Sequence, residues 1–303
     1  MTVEKCIEKF LHEHAAVSSP ATCSYYDIAL NLFFRYLEEK GIDEVNDITR
    51  EIYLDYIHHL RQTGIKNVSV QSYCRAVKAF CKWMYFLDYI DSDFSLKVKM
   101  PADDSEIVVP LTNEEVKKCE EVFYTFGTYW LRNKCIFYLM LDCGLRSGEV
   151  IRLDRADINF KEHYIIIRQS KYNKSRFVPF PGRLEELLDR YMNTAGRESR
   201  CFGGKFVFHA RNGKRITKNS IDKMFVRLKK ETCITRIHPH LLRHTFATSF
   251  VLGGGNLEVL RVLMGHSSYN VTQKYLHIAY QLQILNADVY RLDKIFFKNY
   301  NNS

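Results

Sequence analysis

The stretches I-H-P-H-L-L-R-H-T-F-A-T at residues 237–248 and L-M-G-H-S-S-Y-N-V-T-Q-K-Y-L-H at 263–277 decide how this chain is read. Pro239 suits the first position of a helix, where its missing N–H costs nothing. On that helix His240 and Arg243 stand three apart and share a face. Gly253, Gly254 and Gly255 break the pattern, and Leu257 to Met264 predicts a second helix with His266 just beyond it. Tyr275 follows on a later helical stretch. Two histidines, an arginine and a tyrosine joined by short helices can converge on one anion. Each residue alone has a plainer reading: a histidine pair at helical spacing is often a satisfied surface pair, and a lone tyrosine is usually packing. His240 and His244, four apart, also raise a metal site. The zinc-protease pattern requires glutamate directly after the first histidine, and Leu241 stands there, so no metal is expected.

The motifs H-L-L-R-H-T-F-A-T, L-M-G-H-S-S and T-Q-K-Y-L-H resemble the tyrosine recombinase (phage integrase) family. His240, Arg243, His266 and Tyr275 match its second box in order and gaps. Upstream, C-G-L-R-S-G-E at 143–149 matches the first arginine box, with Arg146 as its arginine and Glu149 as a supporting residue. There are two departures. Gly148 stands where the family often has serine, and Ala156 lies near the place of a common tryptophan. The segment S-K-Y-N-K-S-R-F-V-P at 170–179 resembles the family's β-hairpin, whose lysine enters the active site. Lys171 takes that place, and Lys174 and Arg176 are read as phosphate contacts. Without the flanking boxes the same residues would be a charged hairpin tip.

Charge is distributed unevenly. Residues 1–104 carry 12 Lys/Arg against 16 Asp/Glu, a net of −4, and the remainder carries 32 against 19, a net of +13, together the +9 of the chain. A basic second half suits a polyanion, most simply DNA; a basic domain without such a partner is the plainer alternative. The apolar fraction of 46% supports buried cores. No basic start with an apolar run and no apolar stretch of membrane-spanning length appears, so neither a signal peptide nor a membrane contact is expected. Nine cysteines without a C-x-x-C pair read as buried free thiols of a reducing cytoplasm, and the resemblance implies a protein on the nucleoid.

Hydropathy patterning predicts a mainly α protein with a small β-sheet in an α+β second domain. Residues 1–90 read as four helices: one with Val3, Ile7, Phe10 and Leu11 buried, one opened by Ser19-Pro20 and closed by Gly41, one capped by Thr49, and one capped by Ser69. The last carries Ser72, Arg75, Lys78 and Lys82 on one side, with Lys66 just before it. That row can track phosphates or lie in a groove, or be an ordinary solvated face. With the resemblance, 1–90 becomes a helical, SAM-like core-binding domain and one side of a two-domain DNA clamp. Residues 91–110 read as a linker. Thr112 and Glu115 form a capping box that opens the domain 111–303. An apolar helix, Trp130 to Cys143, precedes the first box, two strands flank the hairpin, and Thr217 to Glu231 is an amphipathic helix whose Lys218 and Lys223 extend the DNA surface. Leu282, Leu285, Val289, Leu292 and Phe296 form a terminal stripe, which the resemblance makes an exchange helix of about 280–303 docking on a neighbouring subunit.

The resemblance implies a site-specific recombinase that works through a covalent 3′-phosphotyrosyl intermediate and a Holliday junction, with no cofactor. Tyr275 is the nucleophile, His240 the base, Arg146 and Arg243 the phosphate grip, His266 a donor and Lys171 the acid. The partners it implies are double-stranded DNA with inverted half-sites and a homotetramer, monomeric or weakly associated when free. A related recombinase or an accessory DNA-bending or directionality protein can join them. Entry into the core-binding domain almost at residue 1 favours a Xer-like or small mobile-element enzyme over a larger integrase. The alternatives are a type IB topoisomerase, a telomere-resolving enzyme or a non-catalytic DNA-binding protein. The Lys171 role has a direct test, on a duplex taken from DNA flanking the gene after cleavage mapping. Lys171→Ala is expected to cut it slowly, and sulfur at the bridging 5′ position, a far better leaving group, to restore the rate. Rescue confined to Lys174→Ala would move the acid to Lys174.

Overall fold

The computed structural model describes residues 1–101, 108–168, 175–198 and 205–286, with backbone alone at 195–198 and 283–286. The chain divides into two compact units, Met1–Glu106 and Ile107–Ser303.

The first unit is four helices: α1 (Val3–Val17), α2 (Pro20–Glu39), α3 (Arg50–Gln62) and α4 (Asn67–Phe86). Their starts follow side-chain chemistry. Ser19 accepts from the Thr22 N–H at 3.2 Å and Thr49 from the Ile52 N–H at 3.3 Å, each satisfying an otherwise orphaned donor. Gly41 and Gly64, at φ +68° and +72°, turn the chain after α2 and α3. The expectation of a Ser69 cap is corrected: α4 starts three residues earlier, Lys66 is its N-cap residue without a side-chain bond, and Ser69 lies inside the first turn. Val3, Cys6, Ile7 and Phe10 of α1 meet Phe33, Tyr53, Tyr56, Val77 and Phe80 in the core. The Tyr53 hydroxyl donates to the Cys74 carbonyl at 3.0 Å, so its burial strands no donor. Phe94 and Val98, within the stretch read as linker, are also buried in this core.

The second unit is built around α6 (Trp130–Leu141), whose apolar run from Cys135 to Leu141 is buried throughout, as a helical stretch apolar all round must be. Before it lies α5 (Asn113–Phe123), opened by the Thr112–Glu115 capping box. After it come α7 (Ser147–Arg152), β1 (Ile158–Asn159), β2 (Tyr164–Ile167), β3 (Arg176–Pro179), α8 (Gly182–Glu198) and α9 (Lys218–Thr232). The chain then forms α10 (Pro239–Leu252), α11 (Leu257–Met264) and α12 (Tyr269–Asn286). The three strands form one antiparallel sheet in the order β1-β2-β3, with Ile165 opposite Val178 and Ile167 opposite Arg176. Its inner face is set by period two: Ile165 and Ile167 of β2, Arg176 and Val178 of β3. Strand β1 was not foreseen, because two residues carry no periodicity. Of the described cysteines, six are buried, Cys23 is half-buried and Cys233 is exposed, so the expectation of buried thiols holds only in part. No helix among the described residues is long and apolar enough to cross a membrane.

The turn between α6 and α7 is packed closely against α10. Gly144 has φ +63°, and a Cβ there would lie 2.4 Å from Cδ1 of Phe246 on α10. Gly41 is left-handed too, but a Cβ there meets nothing within 4 Å. Gly41→Ala should therefore cost only the backbone term, about 1 kcal/mol. Gly144→Ala adds overpacking and should cost at least about 2 kcal/mol more. Thermal unfolding of both variants checks this; equal losses would mean that Phe246 moves aside freely.

Candidate active site

The site is built on the C-terminal end of α11. Gly265, at φ +61°, turns the chain there. The Gly265 N–H donates to the Val262 carbonyl and the His266 N–H to the Arg261 carbonyl, both at 3.0 Å. The next four carbonyls have no helical partner. Each takes an arginine. Arg176 Nε donates to Leu263 at 2.7 Å, Arg243 Nη2 to Met264 at 2.5 Å, Arg146 Nη2 to Gly265 at 3.3 Å, and Arg261 Nη1 to His266 at 2.9 Å. The negative end of the helix dipole favours cations in the same place.

Arg146 is the N-cap residue of α7. Its backbone N–H donates to Glu149 Oε2 at 2.8 Å and its Nη1 to Oε1 at 3.1 Å, and its side chain stays 38% exposed. Glu149 is buried. Burial alone would raise its pKa, but the Arg176 guanidinium, then the N–H and charge of Arg146, hold it below the usual carboxylate range. Arg243 is buried on α10. It also donates to the Gly144 carbonyl and, through Nη2, to His266 Nε2 at 3.1 Å. Desolvation first, then the charge of Arg146, push Arg243 down to about 10, so it stays protonated at neutral pH. Three guanidiniums around one carboxylate leave the site net positive, as an anionic substrate requires.

His266 is fixed in one tautomer. A guanidinium only donates, so Nε2 accepts from Arg243, and Nδ1–H donates to Thr272 Oγ1 at 3.0 Å. Both ring nitrogens are thus engaged, and His266 offers no free donor in this state. Tyr275 sits on α12, only 5% exposed, with its ring 5.4 Å from that of His244 and stacked at 6.3 Å on that of His266. Burial raises its pKa, opposed by the charges of Arg243 and Arg146. Its hydroxyl has no hydrogen-bond partner among the described residues. His240 is exposed at the start of α10. Partial desolvation, then the charges of His238, Arg243, Arg146 and Lys218, hold its pKa below the ordinary value, so it is a neutral base at pH 7.

Arg146, Arg243, His266 and Tyr275 are therefore brought together, and His240 lies within their field. Lys171 and Lys174 lie outside the described residues. Arg176 is corrected: it is not a surface phosphate contact but a buried side chain, paired to both oxygens of Glu149 at 2.9 Å. Sequence reasoning missed Thr272, the packing of His244 against Tyr275 and this role of Arg176. Thr272 stands one turn before Tyr275, and that spacing was the available signal. On the outer surface Lys66, Arg75, Lys82, Lys218 and Lys223 are exposed. Arg75 donates to Gln71 Oε1 at 3.0 Å. Ser72 is half-buried, its carbonyl taken by the Tyr25 hydroxyl. Lys78 donates to the Val98 carbonyl at 2.8 Å, which ties down the chain after α4. No cluster of three or more metal-ligating residues occurs among the described residues.

Known proteins resemble this chain in sequence and in fold. The Phage integrase family profile matches residues 109–281, and the Phage integrase SAM-like domain profile matches residues 2–100. Tyrosine recombinase XerD of Halalkalibacterium halodurans is 28% identical over 91% of this chain and 94% of its own. Tyrosine recombinase XerD of Bifidobacterium longum is 30% identical over 86% of this chain and 87% of its own. The Tn1549 transposon integrase in complex with a circular intermediate DNA superposes with a TM-score of 0.75 at 20% identity, covering 91% of this chain and 95% of that one. XerH recombinase bound to a palindromic difH substrate gives 0.75 at 20% identity, with 94% and 84% covered. At such identities the structural likeness is one of fold.

The two inner histidines have a consequence for stability. Burial, then neighbouring cations, push His244 and His266 down to about 4 from an ordinary 6.5. Between these values the unfolded chain binds protons that the folded chain refuses. The stability they contribute is full above about pH 6.5 and is lost as pH falls toward about 4. His244 Nδ1 has no hydrogen-bond partner among the described residues, so His244→Phe keeps the packing and removes one titration. Its unfolding free energy should fall less steeply between pH 6.5 and 4 than that of the parent. Parallel slopes would mean that His244 is not buried neutral.

Proposed function

The chain belongs to the phage integrase family and is a tyrosine site-specific recombinase, and on that premise we propose that Tyr275 attacks a DNA phosphodiester held between Arg146 and Arg243. The observation that carries the assignment is their convergence. These arginines bond the neighbouring carbonyls of Gly265 and Met264, and the next residue, His266, stacks on Tyr275.

A phenol of pKa about 10 is only ~0.1% ionised at pH 7, a deficit of about 4 kcal/mol in available nucleophile. His240 takes the phenol proton. Arg146 and Arg243 grip the non-bridging oxygens and the charge that builds on them. As the bond from the tyrosyl oxygen to phosphorus forms, the bond to the 5′-oxygen breaks, and Lys171 protonates that oxygen. The product is a 3′-phosphotyrosyl ester and a free 5′-hydroxyl. One ester replaces another, so no ATP or metal is needed, and a 5′-hydroxyl from a second duplex reverses the step. Two such exchanges pass through a Holliday junction. Because His266 is engaged on both sides, DNA binding must exchange the Arg243–His266 bond for a phosphate oxygen. Only then does His266 gain a donor to offer.

The DNA is read as a pair of inverted half-sites held by a homotetramer, with residues 1–90 as the core-binding domain and 91–110 as linker to the catalytic domain. The exposed Lys66, Arg75, Lys82, Lys218 and Lys223 support backbone contacts there. The tail of about 280–303 docks on a neighbouring subunit, and an accessory DNA-bending or directionality protein can set the outcome. Tyr275→Phe is expected to bind the mapped duplex with parental affinity and to form no denaturant-resistant DNA adduct. An adduct that persists in this variant would remove Tyr275 from the role.

A further inference from the structure

Resting on the reading of Arg146 as a phosphate ligand, we propose that Arg176 is a positioning residue of the reaction, which keeps Arg146 free for substrate by occupying Glu149. Arg176 lies on β3 with its guanidinium buried, so it touches no reacting atom. Its fork gives Nη1 to Oε1 and Nη2 to Oε2 of Glu149, both at 2.9 Å. That leaves one acceptor direction on each carboxylate oxygen. Arg146 fills them with its Nη1 on Oε1 and its backbone N–H on Oε2. The carboxylate then has four donors and a fixed plane.

A closed ring of bonds results. Arg176 grips Glu149, Glu149 holds Arg146, Arg146 donates to the Gly265 carbonyl, and Arg176 Nε returns to Leu263 on the same helix end. The ring joins β3, α7 and α11, and so fixes Arg146 relative to His266.

The consequence follows from carboxylate chemistry. An isolated carboxylate takes an arginine in two-pronged fashion. With Arg176 in that position, Arg146 meets Glu149 through a single side-chain nitrogen, and the group of three carries one net positive charge. Without Arg176, Arg146 is drawn into the fork, and Glu149 neutralises the charge that should face the phosphate. Lysine cannot replace a fork, and displacement of a charged ligand by about 1 Å can cost ~100-fold in rate.

The test uses the full chain and a synthetic duplex of the mapped site, with either the normal scissile phosphodiester or a neutral methylphosphonate there. Arg176→Met is expected to lose ~100-fold or more in adduct formation on the phosphodiester, with DNA affinity within ~3-fold of the parent. The loss on the methylphosphonate should be at least ~10-fold smaller, because a neutral linkage needs little of the charge on Arg146. Adding Glu149→Gln to Arg176→Met removes the neutralising carboxylate and should recover at least ~10-fold. Should the single variant fail to fold, Arg176→Lys and the double variant carry the same comparison. Equal losses on both linkages, or a double variant slower than Arg176→Met, overturn the proposal. Arg146→Ala is the control for the underlying reading. If it shows no preference between the linkages, Arg146 is not a phosphate ligand. If it does and the Arg176 variants do not, only the role of Arg176 fails.

Discussion

Four arginines on four consecutive carbonyls at the end of α11 are the constraint on which the catalytic unit depends. A helix end exposes carbonyls that water or a cap must satisfy. Here the satisfying groups come from β3, α7, α10 and α11 itself, so one helix end gathers residues far apart in sequence. The same bonds bring several positive charges to within reach of one another. Their repulsion is tolerable because Glu149 and the helix dipole oppose it. In the proposed reaction a phosphodiester arriving here meets guanidinium donors held in place by these bonds, and such preorganised charge is a main way a protein lowers the barrier of phosphoryl transfer.

The same geometry sets the surroundings of Tyr275. Tyr275 is packed with Ala247, Val251, Leu260 and Met264, and burial makes its phenol a poorer acid than in water. His266 is committed to Arg243 and Thr272. In the reaction proposed above, Tyr275 stays neutral until the phosphate arrives, because the donor that holds His266 is one the substrate competes for. Thr272 and Tyr275 share α12, so on that proposal a change at His266 reaches Tyr275 through one helix.

Much of this was legible in the sequence, for identifiable reasons. The caps at Ser19, Thr49 and Thr112 are local chemistry, and so are the helix starts they predict. The span Leu257–Met264 was read to the residue because Asn256 and Gly265 bracket an apolar run. The proximity of Arg146, Arg243, His266 and Tyr275 was expected through resemblance alone, since nothing in the spacing of Arg146 and Tyr275 by itself brings them together. What failed was partnership at a distance. Arg176 looked like a surface cation because it follows the basic hairpin segment, yet it alternates in phase with Val178 and Phe180, which are both buried. Period two therefore pointed it inward, and composition was allowed to outweigh it. The engagement of His266 was not legible, because it depends on an arginine one helix away.

The central claim is that the buried Tyr275, rather than a more accessible neighbour, becomes joined to DNA. Tyr269 and Tyr280 lie on the same helix and are 46% and 54% exposed, so exposure alone would favour either of them. The decisive measurement is peptide mapping by mass spectrometry of the adduct trapped on a nicked duplex of the mapped site. The account predicts a single nucleotide-bearing peptide with the modification on Tyr275. Modification of Tyr269, Tyr280 or any residue other than Tyr275 would contradict it.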